Sequence, residues 1–268
     1  MKLPGRLVLL GHPVRHSLSP VFQNAALRAA EIPLTYEALD VPPHALADAL
    51  AQLRAGRAAG NVTVPHKAAF AEACDRLTAL ATRTGAVNTF WCEGSRVVGD
   101  NTDVAGFRAL VTSVLGSAPD EAVVALLGAG GGAAAVCAAV EGWKGSRVIV
   151  FARNRSRAEQ LRARFPRLVT LAATAAEALH GSTMVVNATP VGLSGDEVPV
   201  ALSAIPRDAA VMDLAYRPDL TPWVVAARRA GHRAADGLEM LIAQGAEAFE
   251  RWFGRAPDRA AMRAALAA

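Results

Sequence analysis

The chain has 268 residues, 52% of them hydrophobic and 19% charged, which excludes a disordered polypeptide and leaves room for one large domain or two ordinary ones. The formal charge of +4 and a pI near 9.3 suit anionic small molecules. No basic stripe interleaved with aromatic residues accompanies that charge, so nucleic acid is not an expected partner. Cys74, Cys92 and Cys137 are far apart and fit neither a disulfide framework nor metal-ligand spacing, so no metal is expected. The N-terminus shows no leader pattern, and a cytoplasmic location is expected.

The first third alternates strand-like and helix-like segments. Leu7 to Leu10 is an apolar run stopped by Gly11. Ser19-Pro20 reads as an N-cap with proline at the first helical position, ahead of an apolar face made by Val21, Phe22, Ala25, Ala26 and Ala29. Leu34 to Val41 alternates as a strand, and His44 to Arg54 has helical period. Asn61 to Val64 is a short strand ended by Pro65, and a helix through Phe70 and Leu77 follows. Ala86–Trp91 and Arg96–Val98 form a hairpin pattern around Glu93-Gly94. A helix from Asp103 to Leu115 then leads to a polar break at Gly116–Asp120.

From there the rhythm is βαβ, the signature of a parallel sheet with helical crossovers. The strands are Val123–Leu127, Arg147–Ala152, Leu168–Leu171, Met184–Asn187 and Ala210–Asp213. The helices run to Val140, from Arg157, and around Ala175–Leu179. The last helix, Leu238 to Phe253, carries apolar or small residues at Leu238, Leu241, Ile242, Gly245, Phe249, Trp252 and Phe253. The fold class is therefore α/β with two domains. One is an N-terminal α/β domain of residues 1–103 joined by residues 238–268. The other is a Rossmann-type doubly wound domain of residues 104–237.

The strand Val123–Leu127 runs into Gly128, Gly130, Gly131 and Gly132, and a helix of small residues leaves them. A dinucleotide pyrophosphate needs this order: bare backbone can approach the phosphates, and the new helix presents unpaired N–H groups. Ala122 to Val140 is also uncharged over a membrane-like length. Its central glycines would weaken a spanning helix, and Asp120, Glu121 and Glu141 bracket it, so no membrane span is expected. An NAD site normally places an acidic residue ~20 residues past the glycines. Here the second strand is followed by Arg153-Asn154-Arg155-Ser156-Arg157, with no Asp or Glu between Gly142 and Ala158. Guanidinium forks, an amide and a hydroxyl suit a 2′-phosphate, and NADP(H) is the expected cofactor.

Other segments are over-specified for loops: Gly11-His12-Pro13-Val14-Arg15-His16-Ser17-Leu18-Ser19-Pro20, Asn61-Val62-Thr63-Val64-Pro65-His66-Lys67, Gly85-Ala86-Val87-Asn88-Thr89 and Gly99-Asp100-Asn101-Thr102-Asp103. With the glycine loop, Asn154-Arg155-Ser156, Asn187-Ala188-Thr189-Pro190 and Asp236-Gly237-Leu238, they resemble the shikimate dehydrogenase family over nearly the whole chain. The resemblance implies reversible NADPH-dependent reduction of 3-dehydroshikimate to shikimate, on the route to chorismate and the aromatic amino acids. It implies that Ser17, Ser19 and Tyr216 hold the substrate carboxylate. Thr63 and Asn88 would meet the ring substituents, and Gln244 would also touch the substrate. Lys67 would be the proton donor and acceptor, with Asp103 as its partner. The expected cofactor contacts are Gly128, Ala129, Gly130, Gly131, Gly132, Asn154, Arg155, Ser156, Thr189, Leu214 and Gly237. Departures from the family pattern are modest: Ser156 replaces threonine, Ala133-Ala134 replaces Ser-Arg, and Pro190 stands where serine is frequent. The alternatives are an NAD-using quinate/shikimate dehydrogenase and a non-catalytic shikimate-binding regulator. A homodimer is compatible with either reading.

Overall fold

The computed structural model describes residues 3–217 and 219–267. The chain divides into two compact units, Met1–Asp103 with Leu241–Ala268, and Val104–Met240. Among the described residues no helix is long and apolar enough to cross a membrane; the uncharged run around the glycines is a strand followed by a short helix.

The first unit contains strands β1 (Leu7–Gly11), β2 (Tyr36–Asp40), β3 (Ala59–Val62), β4 (Arg76–Leu77), β5 (Thr89–Glu93) and β6 (Arg96–Asp100). Its helices are α1 (Ser19–Ala29), α2 (Leu46–Ala55), α3 (Lys67–Ala73) and α4 (Ala79–Thr84). The sheet order is β2-β1-β3-β5-β6-β4. β1 is parallel to β2 and β3, and β5 is antiparallel to both β3 and β6. The carboxyl ends of β1, β3 and β6 therefore share one edge with the amino end of β5. β1 is buried along its whole length, as a central strand covered on both faces requires. Val8, Leu10, Val62, Phe70, Phe90 and Val97 belong to the core beneath it.

The second unit is fully parallel. Its strands are β7 (Val123–Leu127), β8 (Arg147–Phe151), β9 (Val169–Leu171), β10 (Met184–Asn187), β11 (Ala210–Asp213) and β12 (Ala234–Ala235). They lie in the order β12-β11-β10-β7-β8-β9, the doubly wound Rossmann order. Helix α5 (Asp103–Leu115) precedes β7; α6 (Gly131–Val140), α7 (Arg155–Arg164), α8 (Ala175–Leu179) and α9 (Pro222–Arg229) are interleaved with the strands. The direction of winding reverses between β7 and β10, the crevice where dinucleotides bind in this topology. Ala125, Leu127, Val185 and Val211 pack one sheet face against Leu179, Trp223 and Val224. Helix α10 (Leu238–Phe253) follows β12, and α11 (Arg259–Ala267) ends the described chain.

Several boundaries differ from the sequence reading, each for a local physical reason. Ser19 is the first residue of α1 rather than its cap; Leu18 is the cap and makes no side-chain cap bond. The Ser17 hydroxyl accepts the Ser19 N–H at 3.2 Å. β3 starts two residues earlier and stops at Val62, because its span is set by pairing Leu7 to Ala59 through Leu10 to Val62. Leu77 is in a strand, not a helix: Asp75 exchanges backbone and side-chain bonds with Val97 and pulls the chain onto β6. α7 begins at Arg155, two residues early, because the Asn154 side-chain oxygen Oδ1 caps the Arg157 N–H at 3.0 Å. Helices α4 and α9 have no counterpart in the sequence reading. Thr78 caps α4, and Thr221 with Pro222 starts α9, a cap signal that was legible.

Candidate active site

The first unit gathers most of the substrate-side candidates at the shared edge of its sheet. Lys67 opens α3 just after β3, Asn88 immediately precedes β5, and Asp103 opens α5 just after β6. Lys67 Nζ donates to Asp103 Oδ2 at 2.5 Å, with the two side chains 17% and 6% exposed. The other Asp103 oxygen accepts the Asn88 amide at 2.8 Å. That amide also reaches Thr102 Oγ1 at 3.0 Å and Gln244 Oε1 at 3.2 Å. The Asn88 side-chain carbonyl in turn accepts the Thr102 N–H at 2.7 Å. The carboxylate is thereby fixed on both oxygens, while the lysine keeps two further hydrogens for another acceptor. An ammonium so held can stabilise and protonate an oxygen that gains charge beside it.

The local sequence explains why these side chains stay put. Val87 donates its N–H to the Lys67 carbonyl at 2.9 Å, and Asn88 donates its own to the Asp100 carbonyl at 3.1 Å. Tyr36 donates to Asn61 Oδ1 at 2.8 Å, and the Asn61 amide donates to the Asn88 backbone carbonyl at 3.0 Å. Gln244 sits on α10 with its amide bonded to the Leu241 carbonyl at 2.8 Å, which aims its carbonyl oxygen at Asn88. Ser17 and Thr63 are half-buried and Ser19 is buried. Thr63 lies where β3 leaves the sheet, its methyl packed so closely on Gly11 that a Cβ there would meet it at 2.4 Å. His66 is not part of the cluster: its ring is buried against the Val41 carbonyl at 2.7 Å.

The cofactor candidates lie at the carboxyl edge of the second sheet. Gly128 follows β7 with φ +112°, and a Cβ there would stand 2.9 Å from the Ala188 carbonyl. Gly130 is the N-cap of α6 with no side-chain cap, and a Cβ at Gly130 would meet nothing within 4 Å. The first N–H groups of α6, at Gly131, Gly132 and Ala133, lie too early in the helix for an intrahelical acceptor and suit an external anion, with open space at the Gly130 Cβ position. Ala129 is half-buried beside them. After β8, Arg153, Asn154, Arg155, Ser156 and Arg157 are all exposed, and the first turn of α7 holds no acid. Arg155 is 3.4 Å from Glu159, an exposed pair that leaves its guanidinium available. This donor set fits a dinucleotide that carries an extra phosphate.

Thr189, Leu214, Tyr216 and Gly237 follow β10, β11 and β12 at the same edge of the second unit. The Thr189 hydroxyl donates to Asn187 Oδ1 at 2.6 Å and accepts the Val191 N–H at 3.2 Å, so its first commitment is internal. A Cβ on Gly237 would sit 2.3 Å from the Leu214 carbonyl. Tyr216 belongs to the second unit, on the segment after β11, whereas the other substrate-side candidates belong to the first. Sequence reasoning gave no role to Thr102, Asn187 or Asp213. Asn187 and Asp213 are polar residues ending buried apolar strands, a signal that could have found them.

Residues 9–90 match the shikimate dehydrogenase substrate binding domain, and residues 237–267 match the shikimate 5′-dehydrogenase C-terminal domain. A shikimate dehydrogenase (NADP(+)) of Methylobacterium radiotolerans is 42% identical over 94% of this chain and 92% of the relative. The crystal structure of shikimate dehydrogenase from Aquifex aeolicus superposes with a TM-score of 0.89 at 31% identity, covering 99% of both chains. Shikimate 5-dehydrogenase from Thermus thermophilus, solved in complex with NADP(H) and shikimate, gives 0.86 at 36% identity over 99% of this chain and 98% of that one. By identity, coverage and fold together, the chain belongs to the shikimate dehydrogenase family.

Proposed function

We propose that this protein interconverts 3-dehydroshikimate and shikimate with NADP(H). The observation that carries the reading is the Lys67–Asp103 pair, locked by Asn88 and Gln244 at one sheet edge. Support comes from the relatives, named as NADP(+)-dependent enzymes, and from the Thermus neighbour, solved with NADP(H) and shikimate. The acid-free, arginine-rich start of α7 supports NADP(H) over NAD(H).

NADPH, when bound, supplies the hydride to the carbonyl carbon. Lys67 then supplies the proton to the carbonyl oxygen, whose developing charge the ammonium stabilises. In the oxidising direction Lys67 takes that proton back. Asp103 holds the lysine in place and offers its carboxylate to the neighbouring hydroxyl. Asn88 and Gln244 order the ring hydroxyls, and Thr63 lies on the same edge. Ser17 and Ser19 hold the carboxylate, a role that the resemblance extends to Tyr216. The α6 amino terminus and its glycines receive the pyrophosphate, and Asn154, Arg155 and Ser156 receive the 2′-phosphate.

The test is an activity grid of NADPH and NADH against 3-dehydroshikimate and 3-dehydroquinate. Oxidation of NADPH with 3-dehydroshikimate as the dominant signal supports the proposal. Equal rates with NADH, or a preference for 3-dehydroquinate, would replace it with a quinate/shikimate enzyme of relaxed cofactor use. No turnover in any cell of the grid would leave a binding protein.

A further inference from the structure

Asn187 and Asp213 are the last residues of adjacent parallel strands, paired directly across from each other, and both are fully buried. The Asn187 amide donates to Asp213 Oδ1 at 2.8 Å, and the Ala215 N–H donates to the same oxygen at 3.0 Å. The Thr221 hydroxyl donates to Asp213 Oδ2 at 2.8 Å while capping α9. On its other side, Asn187 Oδ1 accepts both the N–H of Thr189 at 3.0 Å and its hydroxyl at 2.6 Å. One carboxylate thus ties together the loop after β10, the segment after β11 and the start of α9. Asp236 extends the row beyond Asp213, because Met212 pairs with Ala235.

A buried charge is costly, and a core of packed apolar residues would serve stability as well. What this carboxylate does that an apolar residue could not is fix two loops by directed bonds. Both loops lie on the edge where a dinucleotide docks in this topology. The loop after β10 also touches the glycine turn, since a Cβ on Gly128 would strike Ala188 and Thr189.

We propose that Asp213, acting through Asn187 and the Ala215 N–H, is a positioning residue that preorganises the Thr189 and Leu214 loops to receive NADP(H). This rests on the cofactor reading given above. Asp213 itself does not touch the cofactor. Its oxygens are taken by three protein donors, and its effect is transmitted by the Asn187 side chain and the Ala215 N–H.

The test combines calorimetric titration of NADP+ with hydrogen exchange of the ligand-free protein, on the wild type and on Asp213→Ala and Asp213→Asn. Asparagine keeps one carbonyl for Asn187 and Ala215 and turns a donor to the Thr221 oxygen, so it should rescue. The alanine variant is expected to bind NADP+ about tenfold more weakly or worse. Its Thr189 and Ala215 amides are expected to exchange about tenfold faster. The asparagine variant should stay within about threefold of wild type in both measurements. Wild-type affinity and unchanged exchange in the alanine variant would overturn the proposal. If that variant does not fold, Asn187→Ala decides: weaker NADP+ binding with faster Thr189 exchange supports the proposal, and no change in either overturns it. A wild type that binds no NADP+ counts against the cofactor reading. The exchange data then decide alone whether Asp213 holds the loops.

Discussion

Asn88 and Gln244 are 156 residues apart in sequence, yet the amide of one donates to the carbonyl of the other at 3.2 Å. The same Asn88 amide holds Asp103, and Asp103 holds Lys67. The last long helix therefore closes a polar chain that begins at Lys67, the first residue of α3. Groups in one network are not independent. In a double-mutant cycle of Asn88→Ala and Gln244→Ala, read as kcat/KM for shikimate, the coupling is expected to be roughly 0.5–3 kcal/mol. Strict additivity would show that the hydrogen bond transmits nothing to the substrate.

Lys67 is half-buried, and the one partner shown for its ammonium is Asp103. Lys67→Ala removes the proposed proton donor and leaves Asp103 and Asn88 bonded to each other. A loss of roughly 10²–10⁴ in kcat is expected, with a smaller change in the KM for shikimate. Steady-state rates in both directions check this. An unchanged kcat would remove the lysine from the chemistry.

Arg155 is exposed, and an amine or methyl in its place cannot fork onto a phosphate. In Arg155→Ala, the ratio of kcat/KM for NADPH to that for NADH should fall by about tenfold or more. The NADH value itself should hardly move, because its ribose carries no phosphate. Equal losses with both cofactors would place Arg155 in general structure rather than in cofactor choice.

Burial pushes the Asp213 carboxyl from its ordinary 3.8 up to about 6, against the pull of bonds from Thr221, Asn187 and Ala215. Its folded-state value is raised, so the protonated form favours folding. That contribution is complete below about pH 4 and is lost as the pH rises through about 6. The amount is roughly 3 kcal/mol. Asp213→Asn lacks this titration. The difference in Tm between wild type and variant should therefore shift against the wild type between pH 4 and pH 6. Parallel Tm curves over that range would mean that Asp213 ionises as it does in water.

Gly237 has no room for a side chain: its Cβ would lie 2.3 Å from the Leu214 carbonyl, and backbone cannot swing aside. Gly237→Ala should cost about 1–3 kcal/mol in urea unfolding. It should also weaken NADP+ binding, because Leu214 must move. Stability equal to wild type would show that the segment after β12 has slack.

Much of the second unit was legible because its signals are local. An uninterrupted apolar strand, a glycine cluster and a helix of small residues specify the turn wherever it is placed, and β7, β10 and β11 stand where the pattern puts them. The acid-free stretch after β8 likewise needs only composition and spacing. Element edges set by a partner strand were not legible. The register with β1 fixes where β3 starts, and the Asp75–Val97 bonds turn a helical pattern at Leu77 into a strand. The sequence could name Lys67, Asn88, Asp103 and Gln244 by resemblance, but only the sheet order puts the first three on one edge, and only the packing of α10 brings Gln244 to Asn88. It could not reveal that Asn187 and Asp213 face each other. A hydrogen bond depends on distances of tenths of an ångström between residues far apart in the chain. Periodicity and spacing carry no such information, and packing alone supplies it.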